Sequence, residues 1–171
     1  MFASADTTNM NAVTSDKLAS GTPKVFARNR LEIITAPGNP KHIKSVSDLA
    51  NDGIKVAVCA AAMPCGAYTQ QVFKKAGVTV KPVSEETSVS SVVTKVTLGE
   101  ADADIVYTTD VKAAGNKAAG VAIPANQNVV ADYPIVQLSD ASNAGAAPAF
   151  IAYVEGPQGQ SVLTSFGFLR P

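Results

Sequence analysis

Apolar and polar positions alternate between two periods along most of the chain. In the best helical stretch, Val89, Val92, Val93 and Val96 fall at i, i+3, i+4 and i+7, with Thr87 or Ser88 as cap and Gly99 as stop. β-branched residues are mediocre helix formers, so this face requires burial to form. Met10 and Val13 after Asp6 predict a short first helix. Ala67 to Ala76, closed by Gly77, predicts another, and Thr108-Thr109-Asp110 supplies caps for a short Ala-rich helix that stops near Gly115. Ser45 or Ser47 predicts a brief helix through Leu49. Pro148 and Pro157 stand where a first helical turn tolerates proline, and they predict two closing helices. The first turns Phe150, Ile151 and Val154 inward; the second turns in Val162, Leu163 and Phe166. Extended segments are expected at Val25 to Thr35, Ile54 to Cys59, Val78 to Val83, Ala101 to Tyr107, Val121 to Ile123 and Tyr133 to Leu138. Strand and helix signals in alternation specify an α/β fold with a largely parallel sheet.

Composition narrows the function. With 46% hydrophobic residues in 171, the chain builds a core large enough for one domain or two small lobes. Lys plus Arg and Asp plus Glu both number 14, aromatic residues are sparse and Trp is absent. Neither an electrostatic attraction to nucleic acid nor a stacking platform for bases is therefore expected. No apolar run approaches the ~20 residues that span a bilayer. The first residues carry no basic segment followed by a hydrophobic one, so no export signal is read in this chain. Met1-Phe2-Ala3-Ser4-Ala5-Asp6 reads like the end of a buried strand, and sequence upstream of Met1 is expected.

Catalytic constellations are hard to assemble. His42 is the only histidine and lies in a Lys-rich stretch after the turn Pro37-Gly38-Asn39-Pro40, where a solvated surface position is expected. Nucleophile elbow, phosphate loop and dinucleotide fingerprint are all absent. Glu85-Glu86 reads as a solvated turn, and Asp102 and Asp104 alternate along a strand away from any metal partner. No catalytic residue and no metal site is expected. The two cysteines, Cys59 and Cys65, are not spaced for a thioredoxin-like pair and lack the further ligands of a zinc site. With the chain turning at Pro64, a disulfide within the roughly 4.4–6.8 Å Cα range is one reading, and it implies an oxidising compartment. Two buried free thiols are the other, and a thiol-redox enzyme is a third.

Three strand ends run directly into helix starts, at Pro64-Cys65-Gly66-Ala67, Thr87-Ser88-Val89 and Tyr107-Thr108-Thr109. Such junctions gather at the carboxyl edge of an open α/β sheet, where backbone N–H groups and helix dipoles favour an anion. Ordinary βα turns without a ligand explain the same pattern.

At these residues the chain resembles the molybdate-binding proteins of ABC importers, a branch of the type II periplasmic binding proteins. The matching pieces run in one register: Phe2-Ala3-Ser4-Ala5-Asp6, Val25-Phe26-Ala27-Arg28-Asn29-Arg30-Leu31, Pro37-Gly38-Asn39-Pro40, Ser45-Val46-Ser47-Asp48-Leu49-Ala50, Pro64-Cys65-Gly66-Ala67-Tyr68, Gly99-Glu100-Ala101-Asp102-Ala103, Ile105-Val106-Tyr107, Tyr133-Pro134-Ile135, and Gly156-Pro157-Gln158-Gly159 through Phe166-Gly167-Phe168. The cysteine pair is similar to that of actinobacterial members.

The resemblance implies a type II fold of two lobes joined by crossing strands. Residues 33–128 would form the second lobe, and 1–32 with 129–171 an incomplete first lobe that lacks an N-terminal strand, helix and strand. It implies capture of molybdate or tungstate by neutral donors, outside the cytoplasm, and delivery to an ABC permease, with no cofactor and no metal beyond that of the oxyanion. Cys65 and Val89 would donate backbone N–H groups and Tyr107 its phenolic O–H. Relatives usually carry Ala where this chain has Cys65, a change that a main-chain donor tolerates. The donors of the missing segment are absent from this chain, so it is expected to bind molybdate weakly or not at all. A monomer is expected, with self-association through sheet surface exposed in the incomplete lobe. A binding protein for sulfate or phosphate, and the effector-sensing domain of a transcription regulator, are the alternatives.

Overall fold

A computed structural model describes residues 1–143 and 145–171. The chain divides into two compact units, Met1–Asn29 with Ala131–Pro171 and Arg30–Val130, so it crosses from one to the other at 29/30 and at 130/131.

The first unit pairs β1 (Phe2–Ala3) antiparallel with β7 (Val130–Leu138), and β7 in turn neighbours β2 (Ala19–Thr35). The strand β2 begins six residues before the expected Val25. Ala19-Ser20-Gly21-Thr22-Pro23-Lys24 has no apolar alternation, and a long-range partner recruits it: Ser139 N–H donates to the Leu18 carbonyl at 2.8 Å. Helix α1 (Thr7–Ser15) starts where Asp6 Oδ1 accepts the Asn9 N–H at 2.9 Å, and it buries Met10. Helices α5 (Ala146–Glu155) and α6 (Pro157–Phe166) pack on each other and complete the unit. Gln160 Nε2 reaches the Phe26 carbonyl at 2.7 Å, and Phe168 meets Tyr133 edge to face at 5.5 Å, so the C-terminal segment is fastened to β2 and β7. The inward orientation expected in these helices does not hold for Phe150, Val162 and Phe166, which are about half exposed or more. Helical spacing defines which residues share a face; it does not supply a partner for that face.

The second unit is a sheet with helices on it. Parallel strands β3 (Ala57–Cys59) and β4 (Ser84–Glu86) pair in the register Ala57↔Ser84, and a parallel bridge from Val56 to Ala103 joins β3 to β5 (Ala103–Tyr107). The end of β2 runs antiparallel between β5, with Leu31↔Tyr107, and β6 (Ala119–Ala122), with Thr35↔Ala119. Helices α2 (Pro64–Ala76) and α3 (Val89–Thr97) connect β3 to β4 and β4 to β5, and α4 (Thr108–Ala114) follows β5. The core is Leu31, Ile33, Ile34, Val56, Val72, Val92, Val96, Ile105 and Val106, all at most 1% exposed. A 3-10 turn at Val46–Ala50 adds Val46 and Leu49, its start held by Asp48 Oδ2, which accepts the Ser45 N–H at 3.0 Å.

The strand expected at Val78 to Val83 lies instead at Ser84–Glu86. Pro82 has no N–H to give to a ladder, so pairing starts beyond it, with Val83 N–H on the Val56 carbonyl at 2.8 Å. Glu85-Glu86 is therefore strand rather than solvated turn, and Glu86 lies 3.6 Å from Lys95.

Asp104 is the unexpected buried charge. Its side chain lies within β5, one carboxyl oxygen accepting the Ile105 N–H at 2.6 Å and the other buried without a hydrogen-bond partner among the described residues. Desolvation, with the nearby Glu86 carboxylate adding to it, holds the Asp104 carboxyl well above the usual carboxylate range. Burial also raises Asp110 and Glu32. A carboxyl raised on folding binds its proton more tightly in the native state, so its contribution is complete below the unfolded pKa and is lost as pH rises through the folded one.

Two outcomes follow from this packing. Urea unfolding from about pH 5 to pH 8 is expected to show falling stability, with a slope of at most ~1.4 kcal/mol per pH unit from Asp104, and D104N is expected to flatten it. A D104N profile as steep as that of the parent contradicts the assignment. At Gly66, an added Cβ would stand 2.1 Å from the Ala60 carbonyl oxygen, a backbone atom. G66A is accordingly expected to cost about 2 kcal/mol or more in denaturant unfolding, and an unchanged midpoint contradicts the close packing of this loop on α2.

Candidate functional site

Because β3, β4 and β5 point the same way, their carboxyl ends share one edge of the sheet, and the next element after each is a helix. The order β4, β3, β5 reverses direction between the first crossover and the second. Such a reversal opens a crevice at the carboxyl edge.

Each expected donor stands at one of these ends. Cys65 is the second residue of α2, after Pro64 at the first position, and is 5% exposed. Proline is suited to that first position because its ring presets the helical φ and the N–H it lacks has no intrahelical partner there. Val89 is the first residue of α3, behind the cap Ser88, whose Oγ accepts the Ser91 N–H at 3.1 Å. Helix geometry gives the N–H groups of these two positions no acceptor within their own helix. The positive ends of the two helix dipoles lie at the same places.

Tyr107 closes β5. Its ring is buried, its phenolic oxygen is shielded from solvent, and Tyr68 of α2 meets it edge to face at 6.4 Å and 75°. Its own N–H is used locally, donated to Asp110 Oδ2 at 3.0 Å. Of the expected caps Thr108-Thr109-Asp110, Asp110 is the one that reaches back, to the Tyr107 N–H, and the helix itself starts at Thr108.

The loop between β3 and α2 is tied down. Cys59 and Cys65 form a disulfide with Cα atoms 5.8 Å apart, which settles the choice between bridge and free thiols. Ala60 N–H donates to the Glu86 carbonyl at 2.8 Å, and Met63 N–H to the Ala60 carbonyl at 2.8 Å. Thr69, also on α2 and buried, donates to the Ile105 carbonyl. Sequence reasoning named Asp110 only as one of three caps, Glu86 only in a carboxylate pair and Tyr68 only within a matching segment, and gave none of them a role at this edge. Tyr68 was within reach, since it stands three residues after Cys65 and shares its helix face.

Among the described residues no group of three or more His, Cys, Asp or Glu is placed to hold a metal ion. His42 is exposed, and Asp102 is occupied by the Lys55 N–H at 2.8 Å. No helix among the described residues is long and apolar enough to cross a membrane.

The molybdate-binding proteins ModA of Mycobacterium tuberculosis and Mycobacterium bovis are each 40% identical over all 171 residues, and the chain spans 66% of their length. The periplasmic molybdate-binding protein of Azotobacter vinelandii superposes with a TM-score of 0.82 at 22% identity, over 99% of this chain and 78% of that one. The sulfate-binding protein SubI of Mycobacterium tuberculosis gives 0.79 at 18% identity, over 97% of this chain and 67% of that one. At such identities the likeness concerns the fold, that of the type II periplasmic binding proteins. The family model of the bacterial extracellular solute-binding proteins matches residues 1–169, and the chain belongs to that family.

Proposed function

We propose that the protein captures molybdate or tungstate outside the cytoplasm and delivers it to an ABC permease, binding its ligand without transforming it. The observation that carries this reading is the gathering of three helix starts at one sheet edge, with Cys65, Val89 and Tyr107 at them. Two backbone N–H groups, one phenolic O–H and the positive ends of α2 and α3 offer hydrogen bonds and partial positive charge without a full cation. That chemistry suits a dianion with acceptors on every oxygen. It is less suited to an anion that carries a proton, such as hydrogen phosphate, because the proton would face donors only. The 40% identity to the molybdate-binding proteins ModA supports molybdate. No observation favours a transcription regulator. The disulfide supports an oxidising compartment, where extracytoplasmic binding proteins work.

Three donors satisfy only part of a tetrahedral dianion, so the 171 residues alone hold it loosely. Calorimetric titration is expected to give molybdate and tungstate dissociation constants of about 1 μM or weaker, with sulfate and phosphate weaker still by at least roughly tenfold. Removing the phenolic donor in Y107F is expected to weaken molybdate by about tenfold or more, as loss of a hydrogen bond to a charged group does. Tighter binding of sulfate or phosphate than of molybdate contradicts the ligand assignment. Submicromolar molybdate affinity that survives Y107F contradicts the donor set.

A further inference from the structure

The Cys59–Cys65 bridge contributes no donor to an anion, yet it lies between two of the proposed ones. Cys59 is the last residue of β3 and Cys65 the second of α2, and both are nearly sealed from solvent, at 2% and 5% exposure. The residue after Cys59 is Ala60, whose N–H is held by the carbonyl of Glu86, the last residue of β4. Three residues beyond Glu86 stands Val89, the first residue of α3. A short path thus runs from the Cys65 amide through the two sulfurs to Cys59 and Ala60, across one hydrogen bond to Glu86, and on through Ser88 to the Val89 amide. It passes through neither helix.

The segment under this path has little else to fix it. Ala61 and Ala62 are exposed and carry only methyl groups, so they offer no side chain that anchors the turn. Its local restraints are the hydrogen bonds from Ala60 N–H to Glu86, from Met63 N–H to Ala60 and from Ala67 N–H to Met63, with the close approach of Gly66 to the Ala60 carbonyl. Without the sulfur bond, the first turn of α2 and the end of β3 would be joined by five residues of main chain, these contacts and the packing of α2 on β3.

We propose that the disulfide is a positioning element, which sets the spacing between the Cys65 and Val89 amides and so preorganises both for one anion. This rests on the oxyanion reading above. A bridge that only stabilises the fold leaves the affinity of the folded protein unchanged. A brace between donors acts on affinity at temperatures where every variant is folded, because donors that wander must be ordered when the ligand arrives.

The variant C59A opens the bridge and leaves both donor residues in place, and C59A/C65A does so without leaving a buried lone thiol. In both, molybdate affinity of the folded protein is expected to fall by roughly tenfold relative to the oxidised parent, with an unchanged far-ultraviolet spectrum. Hydrogen exchange is expected to quicken at the Val89 amide as well as at residues 60–66. Parent and variants binding molybdate equally within about twofold, or faster exchange confined to 60–66 with Val89 unmoved, overturns the inference. Failure of the molybdate reading has a different signature: the oxidised parent then prefers sulfate or binds none of the anions, and exchange at Val89 alone decides whether the brace exists.

Discussion

The second unit depends on the parallel alignment of β3, β4 and β5. Parallel strands require a crossover, each crossover here is a helix, and each helix starts at the same edge of the sheet. The alignment is held by apolar burial: Val56 and Ile105 in the strands and Val72, Val92 and Val96 on the helices are sealed from water. The edge where the chain turns from strand to helix is consequently rich in N–H groups without helical acceptors, on a scaffold that does not yield. Recognition of an anion by neutral donors needs that rigidity, since a donor that moves loses most of its advantage over water.

Much of this edge was legible in the sequence, for local reasons. Caps and stops are short-range devices, so Ser88 before α3 and Gly77 after α2 could be read from residue type and spacing. The burial of Val92 and Val96 followed from period alone. What remained hidden depends on partners distant in sequence. The first six residues of β2 are strand because another strand lies beside them. The shift of β4 past Pro82 became visible only with Val56 in place. Asp110 as partner of the Tyr107 N–H was a matter of which of three adjacent polar residues turns back, and sequence does not decide that.

The same distinction explains the first unit. Phe150 and Tyr153 sit near one another on α5 at 6.5 Å between rings, and Val162 and Phe166 share a face of α6, as their spacing implies. Period placed Phe150, Val162 and Phe166 inward, whereas each is about half exposed or more. Asp104 is the converse case. A carboxylate in an apolar strand reads as a residue for the solvent face, whereas it lies in a fully covered strand and keeps its proton at a pH where exposed carboxylates have lost theirs.

The central claim is that one anion meets the Cys65 amide, the Val89 amide and the Tyr107 phenol. Amide and aromatic NMR spectra recorded during titration with molybdate test it residue by residue. The account predicts that the largest shifts fall on the Cys65 and Val89 N–H and on the Tyr107 ring, all following one saturation curve. Saturable shifts that leave these three unmoved and concentrate elsewhere in the chain would contradict it.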